Sequence, residues 1–260
     1  MPRYRLLLEY DGTPFQGWQR QANGPSVQAA VEQALLACSG ETVNVVAAGR
    51  TDSGVHALGQ VAHVDLGRVW APERLAGALN FHLRPAPVAV LEARAVAPDF
   101  HARFSCTGRR YLYRIVTRRG PPALERGRVW HLPIPLDAER MHVAAQALVG
   151  HHDFTSFRAS ECQSPSPVKT LRGIHVERHG DLIECRVWAP SFLHHQVRNI
   201  VGTLKLIGEG NAPISHVRTV LAARDRAAAG PTAPAEGLFL TAAEFGPRPT
   251  SEENLDTGVS

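Results

Sequence analysis

An α+β fold built from two βαββαβ units is predicted by three observations. Short apolar, strand-like runs alternate with segments of helical period through the first hundred residues. The same rhythm returns in the second half without repeating the sequence. The chain has 260 residues, 44% hydrophobic and 20% charged, enough to bury one large or two modest cores.

Each element follows from local signals. Residues 4–10 form an apolar run closed by Asp11-Gly12-Thr13-Pro14 and read as a buried strand. The loop after it carries Phe15, Trp18 and Arg20. Pro25-Ser26 marks a helix start, with Val27, Ala30, Val31, Ala34 and Leu35 on one face and an end near Ser39-Gly40. Residues 43–48 read as a strand, 49–58 as a loop, 59–65 as a strand, 72–83 as a second helix and 88–96 as a fourth strand. That order is the ferredoxin-like split unit. The second half gives a strand over 110–117, a helix over 137–149, strands near 171–178 and 182–188, a helix over 192–207 and a last strand over 237–245. A short helix over 214–224 precedes that strand. The expected division is therefore 1–105 and 106–245, with 246–260, rich in Pro, Ser, Thr and Glu, as a flexible tail. A catalytic cleft between two such units is a natural seat for an extended polymer substrate.

Composition narrows the function classes. No run approaches the roughly 18 consecutive apolar residues of a membrane helix, and residues 1–5 lead straight into a strand, so a soluble, cytoplasmic protein without membrane contact is expected. Cys38, Cys106, Cys162 and Cys185 stand far apart with no CxxC pair, which points to free, buried thiols. Among the thirteen histidines, His151-His152 and His194-His195 are adjacent, and helical neighbours point in different directions, so no metal is expected. The net charge of +4 is unevenly placed: residues 1–100 carry 8 Arg against 9 acids, and 101–245 carry 19 Lys plus Arg against 12 acids. Within 101–128, eight arginines, Arg109 and Arg110 among them, face only Glu125 and interleave with Phe104, Tyr111 and Tyr113. This is the make-up of a phosphate-binding surface with base-stacking aromatics, or of a solvated edge.

Asp52 lies in the run Gly49-Arg50-Thr51-Asp52-Ser53-Gly54-Val55-His56, between two strands. Gly49 and Gly54 allow positive φ or close backbone approach, a setting that suits a functional carboxylate on a rigid scaffold. Asp-Ser-Gly is also ordinary turn chemistry, so spacing alone leaves a turn Asp capping its own backbone as the plainer reading.

The run, extended to Ala57, resembles the signature of the TruA family, tRNA pseudouridine synthases that act in the anticodon arm. Further blocks agree in order: Glu9-Tyr10-Asp11-Gly12 with Gly17-Trp18-Gln19-Arg20-Gln21, Asp99-Phe100-His101-Ala102-Arg103-Phe104, and Arg109-Arg110-Tyr111-Leu112-Tyr113. Later come Gly150 with Asp153-Phe154-Thr155-Ser156-Phe157, His194-His195 with Val197-Arg198-Asn199-Ile200-Val201-Gly202, and Ala233-Pro234-Ala235-Glu236-Gly237-Leu238. Ser53 stands where the family usually has Ala and offers a hydrogen bond to the Asp52 carboxylate.

The resemblance implies isomerisation of uridine to pseudouridine at tRNA positions 38, 39 and 40, by a homodimer that needs no cofactor. It makes Asp52 the nucleophile; attack at ribose C1′, attack at ring C6 and proton removal from the sugar all remain open. Tyr111 would stack on the target base, with Tyr113 assigned to the core. Arg198 would pair with Asp52, falling off the apolar stripe of Leu193, Val197, Ile200, Val201 and Leu204. Leu238 would line the pocket, and Arg50 would enter the space left by a flipped nucleotide. Trp18, Arg20, Arg109 and Arg110 would contact the RNA backbone. His56, His63 and His101 read as supporting histidines. A non-catalytic RNA-binding module is the main alternative, but it gains nothing from a carboxylate facing a polyanion.

Overall fold

The computed structural model describes residues 1–22 and 24–246; the tail expected over 246–260 lies, beyond Gly246, outside the described residues. β1 (Arg3–Tyr10) turns Tyr4, Leu6, Leu8 and Tyr10 into a core by strand alternation. α1 (Val27–Ser39) starts on Ser26, whose hydroxyl accepts the Ala29 N–H at 3.3 Å, and stops at Gly40 with φ 76°. The strand expected over 43–48 shrinks to β2 (Val46–Ala47), the two residues that pair with β3 (His56–Asp65). β3 itself begins three residues earlier than expected. α2 (Pro72–His82) and β4 (Val88–Val96) complete the unit as read from sequence.

The second unit opens with β5 (Cys106–Val116), flanked by the short β6 (Trp130–His131). α3 (Ala138–Ala145) starts on the Asp137 cap and tightens into a 3-10 turn over Gln146–Leu148. β7 (Gly150–Asp153) and β8 (Val168–Leu171) form a small separate sheet that is too short to show a period in sequence. β9 (Gly173–His179), β10 (Leu182–Ala189), α4 (Gln196–Gly208), α5 (His216–Ala223) and β11 (Leu238–Phe245) follow. α4 starts four residues later than expected because His195 takes φ 60°, outside the helical region.

The fold is the expected α+β class, with the two units fused more closely than separate sheets. One mixed sheet runs β4-β1-β3-β11-β5-β10-β9, with β2 also paired to β3. The order β11-β5-β10-β9 thus repeats the order β4-β1-β3-β2. The join is a parallel contact in which His56 pairs with Phe239 and Ala57 with Leu240. That pairing extends β3 back to His56 and fixes where the preceding loop must end. Apolar packing locks the seam: Val55 is buried in the core of the second half, and Leu240 in the core of the first. Among the described residues no helix is long and apolar enough to cross a membrane. All four cysteines are free.

Candidate active site at the seam

The loop that carries Asp52 is pinned from several sides. The Thr51 hydroxyl bonds the buried Tyr10 hydroxyl at 2.8 Å, and the Thr51 carbonyl accepts the Trp18 N–H at 3.0 Å. Gln60 donates to the Gly49 carbonyl at 2.7 Å. The Val55 N–H closes a turn onto the Asp52 carbonyl at 3.1 Å. Gly17 (φ 90°) lets the neighbouring loop approach so closely that a Cβ there would lie 2.6 Å from the Thr51 oxygen. Gly54 takes φ 77°, as the turn reading requires, whereas Gly49 serves close approach, under the Arg109 side chain. The Ser53 hydroxyl points to the Phe15 carbonyl at 3.3 Å, and its expected bond to Asp52 is not made.

Asp52 therefore meets the N-terminal end of α4. His194 Nε2 lies 3.3 Å from Oδ1, His195 Nε2 3.4 Å from Oδ2, and Arg198 NH1 3.6 Å from Oδ2. The carboxylate is 23% exposed, so it is reachable but largely dry. Burial by itself raises its pKa; bonding to His194 and the charges of His195, His194 and Arg198 outweigh it and bring the pKa below the ordinary value. The helix N-terminus adds favourable potential in the same direction. Asp52 is thus held ionised in a partly desolvated place, which is what a carboxylate nucleophile requires.

The histidine pair was missed as part of the site. The argument that adjacent histidines diverge holds within a helix, but His194 and His195 precede α4. The left-handed backbone at His195 brings the two rings to a centroid distance of 4.0 Å, both facing Asp52. Their place in the same block as Arg198 was the available signal. Asp52, His194 and His195 offer ligand atoms within 4.8 Å of one another, so they are also the residues with the spacing to hold a metal.

The remaining site residues divide. Tyr111 on β5 is half-buried and meets Phe192 edge-on at 5.1 Å; burial raises its pKa, Arg109 opposes this, and the Asp52 charge adds to the rise. Tyr113 is buried, as assigned, and its hydroxyl donates to the Pro234 carbonyl at 2.8 Å. Leu238 is buried in the core of the second half and pairs with Tyr113; the residue opposite Tyr111 is Leu240. Arg50 is exposed, with no hydrogen bond or ion pair to the described residues. Arg20 is 62% exposed and pairs with Glu32 at 3.0 Å.

Two expected RNA contacts are corrected. Trp18 is 2% exposed and packs against Tyr10 in the first core, so its indole cannot reach a polymer; its backbone supports Thr51 instead. Arg109 is spent on carbonyls of both halves, donating from Nε to Ala48 at 3.2 Å and from NH1 to Pro190 at 2.6 Å. Its cation satisfies backbone acceptors at the seam, as a half-buried guanidinium must. Arg110 is exposed but paired with Glu244. Arg118, Arg119 and Arg126 remain exposed on the excursion between β5 and β6.

Of the supporting histidines, His56 and His63 are buried, while His101 is half-buried with its Nδ1 facing the Arg103 and Phe104 N–H groups. His56 Nδ1 faces the Gly12 N–H at 3.0 Å and Asp11 Oδ1 at 3.2 Å, and its Nε2 faces the Glu236 carbonyl at 3.1 Å. Burial lowers its pKa. His63 accepts the Ala102 N–H at 3.1 Å.

A family model described as tRNA pseudouridine synthase matches residues 7–105 and 144–246. The chain is 63% identical over 245 residues to tRNA pseudouridine synthase A of Rhodospirillum centenum, covering 94% of this chain and all of that protein. Proteins of the same name from Sinorhizobium fredii and Maricaulis maris are 56% identical over 247 residues and 54% over 245, covering 94% of this chain and 100% and 98% of theirs. The family model and relatives matched over almost the whole described length show it: the chain belongs to the tRNA pseudouridine synthase family.

Proposed function

We propose that this protein isomerises uridine to pseudouridine in the anticodon arm of tRNA, at positions 38, 39 and 40, with Asp52 as the nucleophile. The observation that carries the reading is the ionised, partly exposed Asp52 carboxylate, held by His194, His195 and Arg198 at the seam. A surface that only bound a polyanion would be weakened by it. In the reaction the C1′–N1 bond breaks and the freed base turns. A C1′–C5 bond then forms, the C5 proton leaves to water and N1 gains a proton. No redox equivalent or phosphate bond is consumed. Attack by Asp52 at ribose C1′ or at ring C6, each forming and then releasing a covalent bond to the nucleoside, and proton removal from the sugar without one, all satisfy that balance.

Tyr111 stacks on the target base, a contact worth about 1–3 kcal/mol. Arg50, exposed and without a partner among the described residues, lies two residues from Asp52, occupies the gap left by the flipped nucleotide and offsets part of the unstacking cost. Arg20, Arg110, Arg118, Arg119 and Arg126 take the phosphates. The two halves, 1–105 and 106–245, form the walls of the cleft. The family resemblance extends the proposal to a cytoplasmic homodimer with tRNA lying across both subunits.

The test is tritium release from C5-labelled uridine in an unmodified tRNA transcript. Wild type is expected to release tritium with and without chelator. Asp52→Asn should release none while binding tRNA within a few-fold of wild type. Substantial turnover by Asp52→Asn would sink the nucleophile assignment, and tight binding without release by wild type would favour a binding module.

A further inference from the structure

Arg198, the cation expected to hold Asp52, is only partly committed to it. Its Nε donates to the Ala233 carbonyl at 2.7 Å, and its NH1 stops 3.6 Å from Oδ2. Oδ1 is met by His194 alone of these three, at 3.3 Å. His195 shares Oδ2 with Arg198.

The segment bearing His194 is braced from outside. Its N–H points to Cys162 Sγ at 3.4 Å, its carbonyl accepts the Ala159 N–H at 3.1 Å, and the preceding Leu193 N–H is capped by Gln196 at 2.8 Å. His195 keeps φ 60°, a conformation that costs a non-glycine residue about 1–2 kcal/mol. Strain of this kind persists where the surroundings over-determine it and clusters at functional sites. Here it brings both rings onto the carboxylate.

We propose that His194 is a positioning residue for Asp52, its Nε2–H holding Oδ1 and so fixing the carboxylate in one orientation for attack. This rests on Asp52 being the nucleophile. The groups facing His194 are Asp52 from the catalytic loop, His195 beside it, and Cys162 and Glu161 from the loop before β8. Bonding to Asp52 raises the His194 pKa against the effect of burial, while burial lowers that of His195. The two shifts run in opposite directions, and the ring whose pKa is raised is the one that faces Oδ1.

The experiment compares single-turnover tritium release and tRNA affinity of wild type, His194→Ala, His194→Gln and Asp52→Asn across pH. His194→Ala should slow single turnover about 10- to 100-fold with tRNA affinity within about twofold. Its acid limb should move to higher pH, because Asp52 loses a stabilising partner. His194→Gln, which keeps an N–H near the same place without charge, should recover most of the rate but not the acid limb. A wild-type rate in His194→Ala, or a slowed rate with unmoved acid limbs in both variants, overturns the proposal. So does loss of wild-type activity on chelation with recovery on adding Zn²⁺, which would make the histidines ligands. Should His194→Ala fail to fold, the acid limb of His194→Gln decides. Wild type and Asp52→Asn behaving alike would instead overturn the nucleophile reading underneath.

Discussion

Asp52 and His63 show burial acting on titration in opposite ways. At Asp52, neighbouring cations outweigh desolvation and the pKa falls. At His63 nothing outweighs it: burial, with Arg3 and His101 adding to it, pushes the pKa down to about 4. The folded protein keeps His63 neutral to that pH, whereas the unfolded chain protonates below about 6.5. Stability is therefore lost as pH falls from about 6.5 towards 4, by up to about 3 kcal/mol from this residue. His63→Asn retains an acceptor for the Ala102 N–H without a titrating ring. Its Tm should fall less steeply over that window, and parallel Tm curves for the two proteins would refute the assignment.

The loops that hold Asp52 depend on backbone fit more than on side chains. Gly17 combines φ 90° with a Cβ position 2.6 Å from the Thr51 carbonyl oxygen, so Gly17→Ala forces the Asp52 loop to shift. A loss of at least about 2 kcal/mol is expected, with slower single turnover at unchanged tRNA affinity. Gly40 at the end of α1 is the control: φ is 76°, but a Cβ there meets nothing within 4 Å. Gly40→Ala should cost about 1 kcal/mol and leave turnover alone. Equal rates for the two variants would mean that Gly17 matters only to folding. The glycines were visible in the sequence; which of them a neighbouring loop presses against was not.

Across the molecule the arginines divide into Arg109, which joins the halves, and the exposed arginines that the proposed function gives to tRNA phosphates. Arg109 links the Ala48 and Pro190 carbonyls across the seam. Arg109→Met should lower stability by about 2–3 kcal/mol, the worth of charge-assisted bonds left unmade, while the salt dependence of tRNA binding stays the same. Replacing Arg118, Arg119 and Arg126 by Ala should do the reverse, flattening the slope of log affinity against log salt and sparing Tm. Measuring both quantities on both variants is decisive, because an interchange of the two effects would move the RNA surface to the seam.

Local chemistry was enough to read the longer helices and strands, though not the short strands β6 and β7, together with the Ser26 and Gly40 caps of α1, the burial of Tyr113 and the loop that presents Asp52. Periodicity and capping act over a few residues, so they are written where they act. The family signature supplied Asp52 and Arg198, which the fold brings together. Contacts between distant segments lay beyond that reach. His56 bonds Glu236 across 180 residues of chain, and the parallel pairing beside it decides where β3 begins and the Asp52 loop ends. Trp18 and Arg109 look like RNA contacts in a motif, but burial and unsatisfied carbonyls claim them for the scaffold. The convergence of His194 and His195 on Asp52 depends on a single left-handed residue before α4. No one-dimensional pattern encodes that, because its cost is met by packing from residues far away in sequence.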